Sequence, residues 1–313
     1  MTERILFRFT VFALILMGVF TLGLRVEAQI QLPGANFRNN PGETPGASGG
    51  KPARSPSRSR DAPADYGKPV KLAPPSEDTL AGKNLMHNGR RGDIRFAKAA
   101  TGLALTKIVL SGDVISKPGE TCEVEVPGGP HIVRFTGFAD GLRQYTADIA
   151  ACPFTFTVLD GAMVVTHEKS SSSTGLGAGT CVFKEKDCRG YLAGFWGPSG
   201  RSFNKSNAAA IEKARGKSEQ DARANFRALL GAARGDRKLT SAVAADQAGF
   251  SARREERCRD FLREPVHGYC ASRITEARAI QLGAKLNDMI KDRQQEAEAK
   301  KKGADARASR RKD

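Results

Sequence analysis

Thr121-Cys122-Glu123-Val124-Glu125-Val126 alternates apolar and polar side chains without a break. In an extended chain successive side chains point to opposite faces, so Cys122, Val124 and Val126 share one side and Thr121, Glu123 and Glu125 the other. Tyr145, Ala147 and Ile149 repeat the pattern, as do Phe154, Phe156 and Val158 against Thr155, Thr157 and Leu159. Lys117-Pro118-Gly119, Pro127-Gly128-Gly129-Pro130 and Asp160-Gly161 carry the residues that reverse a chain between strands. Residues 82–169 are therefore expected to form a small antiparallel β domain, either a sandwich or a partial barrel.

Downstream the period changes. Phe226, Leu229, Leu230 and Ala233 fall on one face of a helix that Gly235-Asp236 should break. Val243, Phe250, Cys258 and Phe261 follow near-heptad spacing on a second helix, which Glu264-Pro265 should end, since proline disfavours helical geometry in the residue before it. Ile274, Leu282, Leu286 and Ile290 form the apolar stripe of a third. Residues 207–291 thus read as a three-helix module. The stretch 292–313 is charged and has no apolar face, and reads as a fraying helix that passes into disorder. Between the two regions, 170–206 reads as a joint containing the serine and glycine run, a Cys181 to Cys188 loop and Gly194-Phe195-Trp196-Gly197-Pro198-Ser199-Gly200. The fold class is α+β and multidomain.

Six cysteines, Cys122, Cys152, Cys181, Cys188, Cys258 and Cys270, are an even number with no C-x-x-C pair and no histidine at a matching spacing, so bridges are expected and a zinc site is not. Pairing neighbours in chain order needs least rearrangement of separate domains: Cys122 with Cys152, Cys181 with Cys188, and Cys258 with Cys270.

The amino terminus fits that redox reading. Arg4 and Arg8 precede an apolar stretch from Phe9 to Leu24, and Val26-Glu27-Ala28 places small residues where a signal peptidase cuts, before Gln29. Residues 1–28 read as a secretory signal, with an uncleaved anchor as the rival. Residues 29–81, rich in Pro, Gly and Ser, read as a disordered linker. Across its 313 residues the chain carries a formal charge of +16 and a pI near 9.8. Such a chain is attracted to anionic lipid or glycan. Nucleic acid is not expected, because no recognition module is visible and the chain is read as exported.

Gln247-Ala248-Gly249-Phe250-Ser251-Ala252-Arg253-Arg254-Glu255-Glu256-Arg257-Cys258 resembles the aQ-x-x-W-x-x-x-R-x-x-x-C segment of the LprI-type lysozyme inhibitor domain. Cys270, Ile274-Thr275, Arg278 and Leu282 are similar to its continuation, C-x-x-x-lT-x-x-R-x-x-x-L. Phe250 stands where the family has Trp, and the family's first-helix cysteine pair has no counterpart around Ala222 to Phe226. The resemblance is confined to 207–291. It implies an all-α, disulfide-bridged module outside the cytoplasm and, more distantly, inhibition of a lysozyme or another cell-wall hydrolase.

No motif points to catalysis. His87, His131, His167 and His267 are scattered, no G-x-S-x-G or S-x-x-K nucleophile is present, and the glycines of 174–179 follow a serine run with no βαβ unit around them. No cofactor, metal or catalytic residue is expected. Two side chains stand out as binding candidates. Trp196, bracketed by turn formers, is either a stacking platform for a sugar or packing between domains. Arg254, on one helical stripe with Gln247, Phe250 and Cys258, is either a functional anchor or half of a structural pair with Gln247 or Glu276. The expectation is a non-catalytic, periplasmic or secreted binding protein of a bacterial envelope, its partner an envelope protein or anionic glycan or lipid. Inhibition of a cell-wall hydrolase and a purely structural envelope role are the alternatives.

Overall fold

The structure, a computed structural model, describes residues 69–309 apart from 101, 127–130 and 167–178. The signal, its cleavage site and most of the linker lie outside the described residues.

The alternating segments become one antiparallel sheet of twelve strands. In chain order these are β1 (Asn84–His87), β2 (Arg91–Ala99), β3 (Gly102–Val114), β4 (Thr121–Glu125), β5 (His131–Ile132), β6 (Arg134–Ala139), β7 (Leu142–Ala147), β8 (Phe154–Leu159), β9 (Ala162–Thr166), β10 (Thr180–Phe183), β11 (Cys188–Tyr191) and β12 (Gly194–Gly197). The order across the sheet is β10-β11-β3-β2-β1-β12-β9-β8-β7-β6, with β4 and β5 also paired to β3. β4 and β5 lie along β3, and the Val133 N–H donates to Leu103 O at 3.1 Å before the same run of chain, as β6, pairs with β7. The sheet therefore returns on itself as a barrel, which removes most of the unpaired edge that an open sheet would expose. The inward side chains fill it: Phe96, Leu105, Leu110, Val124, Tyr145, Phe156, Met163 and Trp196 are all buried in one cluster.

Five helices follow: α1 (Lys205–Ala232), α2 (Arg237–Ala248), α3 (Phe250–Cys258), α4 (Glu264–His267) and α5 (Tyr269–Ser309). Asn204 opens α1 with a reciprocal cap to Asn207, and Asp236 opens α2 by accepting from the Leu239 N–H at 2.9 Å. The expected second helix is two, divided at Gly249. The third starts earlier than its apolar stripe and continues through the charged stretch read as fraying, as far as Ser309.

The helices lie on the outer face of the barrel wall. Leu142, Leu159, Ala162, Val164 and Phe195 point out of the barrel and pack with Ile211, Phe261, Tyr269 and Ile280. Residues Asp61–Asp313 form one compact unit. The α+β fold in two parts, strands and then helices, is as expected, but the parts share a core: strand β9, Ala-Met-Val-Val-Thr, is a nearly continuous apolar run because both its faces are covered. The joint is corrected, since 180–197 supplies β10 to β12. So is the end of the linker. Residues 69–76 cross the helical layer as an extended strap, where the buried Asn225 of α1 accepts from the Val70 N–H at 2.7 Å and donates to Val70 O at 3.1 Å and Ala279 O at 3.0 Å. Leu72 of the strap packs against Ala222, Leu229, Leu282 and Leu286.

Three disulfides are present, as expected of a chain that matures in an oxidising compartment. Cys258 pairs with Cys270, but the other two pairings are corrected to Cys122–Cys188 and Cys152–Cys181. Cys122 and Cys188 sit on β4 and β11, both of which pair with the far end of β3. The barrel brings together strands 66 residues apart, whereas chain-order pairing had assumed that β11 lay in a separate joint. Among the described residues no helix is long and apolar enough to cross a membrane.

Candidate functional site

The residues that carry the family resemblance converge on one network between α2, α3 and α5. Arg278, buried, donates from Nε and Nη2 to Gln247 Oε1 at 3.1 and 3.0 Å and from Nη1 to Asp246 Oδ2 at 2.9 Å. The guanidinium carbons of Arg254 and Arg278 lie 5.7 and 5.4 Å from the centre of the Phe250 ring. Arg254 Nη1 donates to Thr275 Oγ1 at 3.1 Å and stands 3.6 Å from Glu219 of α1, while Thr275 donates to Ala271 O at 2.7 Å. Burial alone would raise the Asp246 carboxyl, but the hydrogen bond and charge of Arg278, joined by Lys285, hold it below the usual carboxylate range. Leu282 completes the core beneath, with Ala222 and Leu229.

These contacts give Arg254 a structural employment with partners other than those expected. Gln247 is taken by Arg278, and Glu276 by Arg273 at 2.7 Å, leaving Thr275 and Glu219 to Arg254. Trp196 is corrected as a sugar platform. It is fully buried inside the barrel, donates from Nε1 to Leu192 O at 2.7 Å and packs beside His87, with ring centres 5.2 Å apart. Its neighbour Phe195 faces the helices instead.

The turn between Cys258 and Cys270, expected as the reversal that lets the two cysteines meet, had no functional role in the sequence. The disulfide closes it, and Phe261, His267 and Tyr269 anchor it in the core. The Leu262 N–H donates to Asn88 O at 2.8 Å, and Arg90 Nε donates to Asp260 O at 3.0 Å, so the barrel holds the turn from below. His267 Nδ1 accepts from the Tyr269 N–H at 3.2 Å, which leaves the proton on Nε2 to donate to Leu262 O at 2.9 Å. Glu264 caps α5, accepting from the N–H groups of Cys270 and Ala271 at 3.1 and 2.8 Å. Burial raises its carboxyl, an effect those two donors oppose. Left-handed backbone at Arg263 (φ 60°) and Gly268 (φ 62°) frames the four-residue α4. Arg263 is neither Gly nor Asn, so this conformation costs energy that the surrounding contacts must offset.

So constrained, the turn lifts Pro265 and Val266 into solvent, Val266 with 60% of its surface exposed. Beside it a groove of about 930 Å³ opens between α1, α3, α4 and the start of α5. Ala208, Ala252 and Ala271 give it a shallow apolar lining, and Arg215, Arg259 and Glu256 stand among its charged side chains. His267 also lines it, 3.7 Å from Glu264, with its two ring nitrogens engaged by the Tyr269 N–H and Leu262 O. Among the described residues no group of three or more His, Cys, Asp and Glu is placed to hold a metal ion. The signal for the turn in the sequence is the Cys258 to Cys270 spacing with Pro265 inside it, which marks a bridged reversal between two helices and does not mark a site.

Comparison with known families, characterised proteins and solved structures found no match to the chain.

Proposed function

We propose that this chain is an exported, non-catalytic interaction protein of a bacterial envelope that docks a protein partner through the turn Arg263–Val266 and the groove beside it. The observation that carries the reading is Val266, a large apolar side chain held in solvent on a turn fixed by a disulfide, two left-handed residues and hydrogen bonds to the barrel. A surface already rigid in its bound shape loses little entropy on association. The three disulfides support export, and cleavage between Ala28 and Gln29 is the processing step that the sequence favours.

The test is site-specific photocrosslinking in the producing cell, with the reactive residue at position 266 and, for comparison, at exposed Lys213 of α1. A discrete adduct from 266 that disappears when Pro265 is changed to Gly is the expected result. Equal labelling from both positions refutes the docking role. Inhibition of a cell-wall hydrolase is the second reading, supported by the LprI-like residues and by the rigid turn, a shape that enters an enzyme cleft without rearrangement.

A further inference from the structure

The last contacts of α5 with the body are made near Met289, which packs against the cluster of Leu282 and Leu286. From Ile290 to Gly303 every residue is exposed, and the helix continues to Ser309. At 1.5 Å per residue, the part beyond Ile290 is about 28 Å long. This arm has no apolar face, so it is built neither for a coiled coil with a second copy nor for burial in a bilayer.

Its charge is divided along its length. Lys291 and Arg293 are outnumbered by Asp292, Glu296 and Glu298, whereas over 300–309 Lys300, Lys301, Lys302 and Arg307 face Asp305 alone. Lys300, Lys301 and Lys302 are exposed, and none lies within ion-pair distance of a carboxylate among the described residues. Consecutive helical residues are about 100° apart, so the three lysines point around the circumference instead of along one side. A planar bilayer engages one side of such a helix; a flexible polyanion wraps all of it. Nucleic acid is disfavoured by the compartment that three disulfides imply.

We infer that the distal part of α5 is a binding arm for an acidic polysaccharide, a site separate from the turn and groove. The probe is alginate, titrated against the full mature chain at low and moderate salt, beside vesicles containing an anionic lipid. Compared are the unaltered protein, the variant K300Q/K301Q/K302Q, and a charge-matched control, K117Q/K184Q/K186Q, whose lysines are exposed on the barrel. Alginate binding should be salt-dependent and weaken roughly tenfold in the arm variant but less than about twofold in the control. Equal losses in both variants would show attraction by net charge alone and overturn the inference. So would arm-dependent binding to vesicles without binding to alginate.

Discussion

Replacing Asn225 by Ala tests whether the strap belongs to the fold. The Asn225 amide is fully buried and makes three hydrogen bonds, two of them to Val70. Each such bond contributes about 1 kcal/mol net, and stranding a buried backbone group costs about 1–3 kcal/mol. Ala279 O also serves its own helix, so the loss falls mainly on Val70, and a destabilisation of about 3 kcal/mol is expected. For a chain of this size that lowers the melting temperature by roughly 6–12 °C. Urea denaturation gives the free energy, and amide exchange locates it: the Val70 N–H, held at 2.7 Å from Asn225 Oδ1, should lose its protection in the variant. A loss below about 1 kcal/mol, with the Val70 amide still protected, would refute the strap as a structural element.

Arg278→Met leaves Gln247 without its partner and removes one of the cations around Asp246, Arg253 at 2.8 Å and Lys285 at 3.4 Å remaining, and should cost about 2 kcal/mol in denaturant melts. The Asp246 carboxyl is lowered in the folded state, so its contribution is present above the ordinary carboxylate range and is lost as pH falls through the folded value; melts across that acidic range should show a weaker loss in the variant. Peptide mapping under non-reducing conditions should find Cys122 with Cys188 and Cys152 with Cys181, and removing the first bridge, which spans 66 residues, should cost about 4 kcal/mol on the chain-entropy estimate. Residues 201–290 hold 18 Arg and Lys against 11 Asp and Glu, so like-charge repulsion should prevent inhibition of a strongly basic lysozyme at micromolar protein and moderate salt. A sub-micromolar inhibition constant would contradict that.

The elements themselves were legible where burial has one side. Thr121 to Val126 alternates because one face meets the barrel interior, and β4 is where it was expected. The helical stripe of Leu282 and Leu286 was equally plain. The relation between the two halves was hidden, because Leu142, Val164 and Phe195 look like ordinary strand residues until something covers the outside of the barrel. Periodicity records that a side chain is buried, not by what. The same gap left Trp196 open between a sugar platform and packing between domains; its ring lies inside the barrel instead, where Gly92 gives it room, since a Cβ there would come within 3.1 Å of it. Arg254 was placed on the correct stripe, but its partners come from α1 and α5, and no local spacing encodes them.

The strap also fixes when folding can finish. Val70 lies 155 residues from Asn225 and farther still from Ala279, so a chain delivered amino terminus first holds its opening segment in waiting until α5 has emerged. A barrel that closed before the helices arrived would present Val164 and Phe195 to water, and such a half-made wall would be prone to stick to its neighbours. A chaperone that acts on this protein therefore has its substrate defined by the order of synthesis, and a chain cut short before residue 279 should remain in its hands.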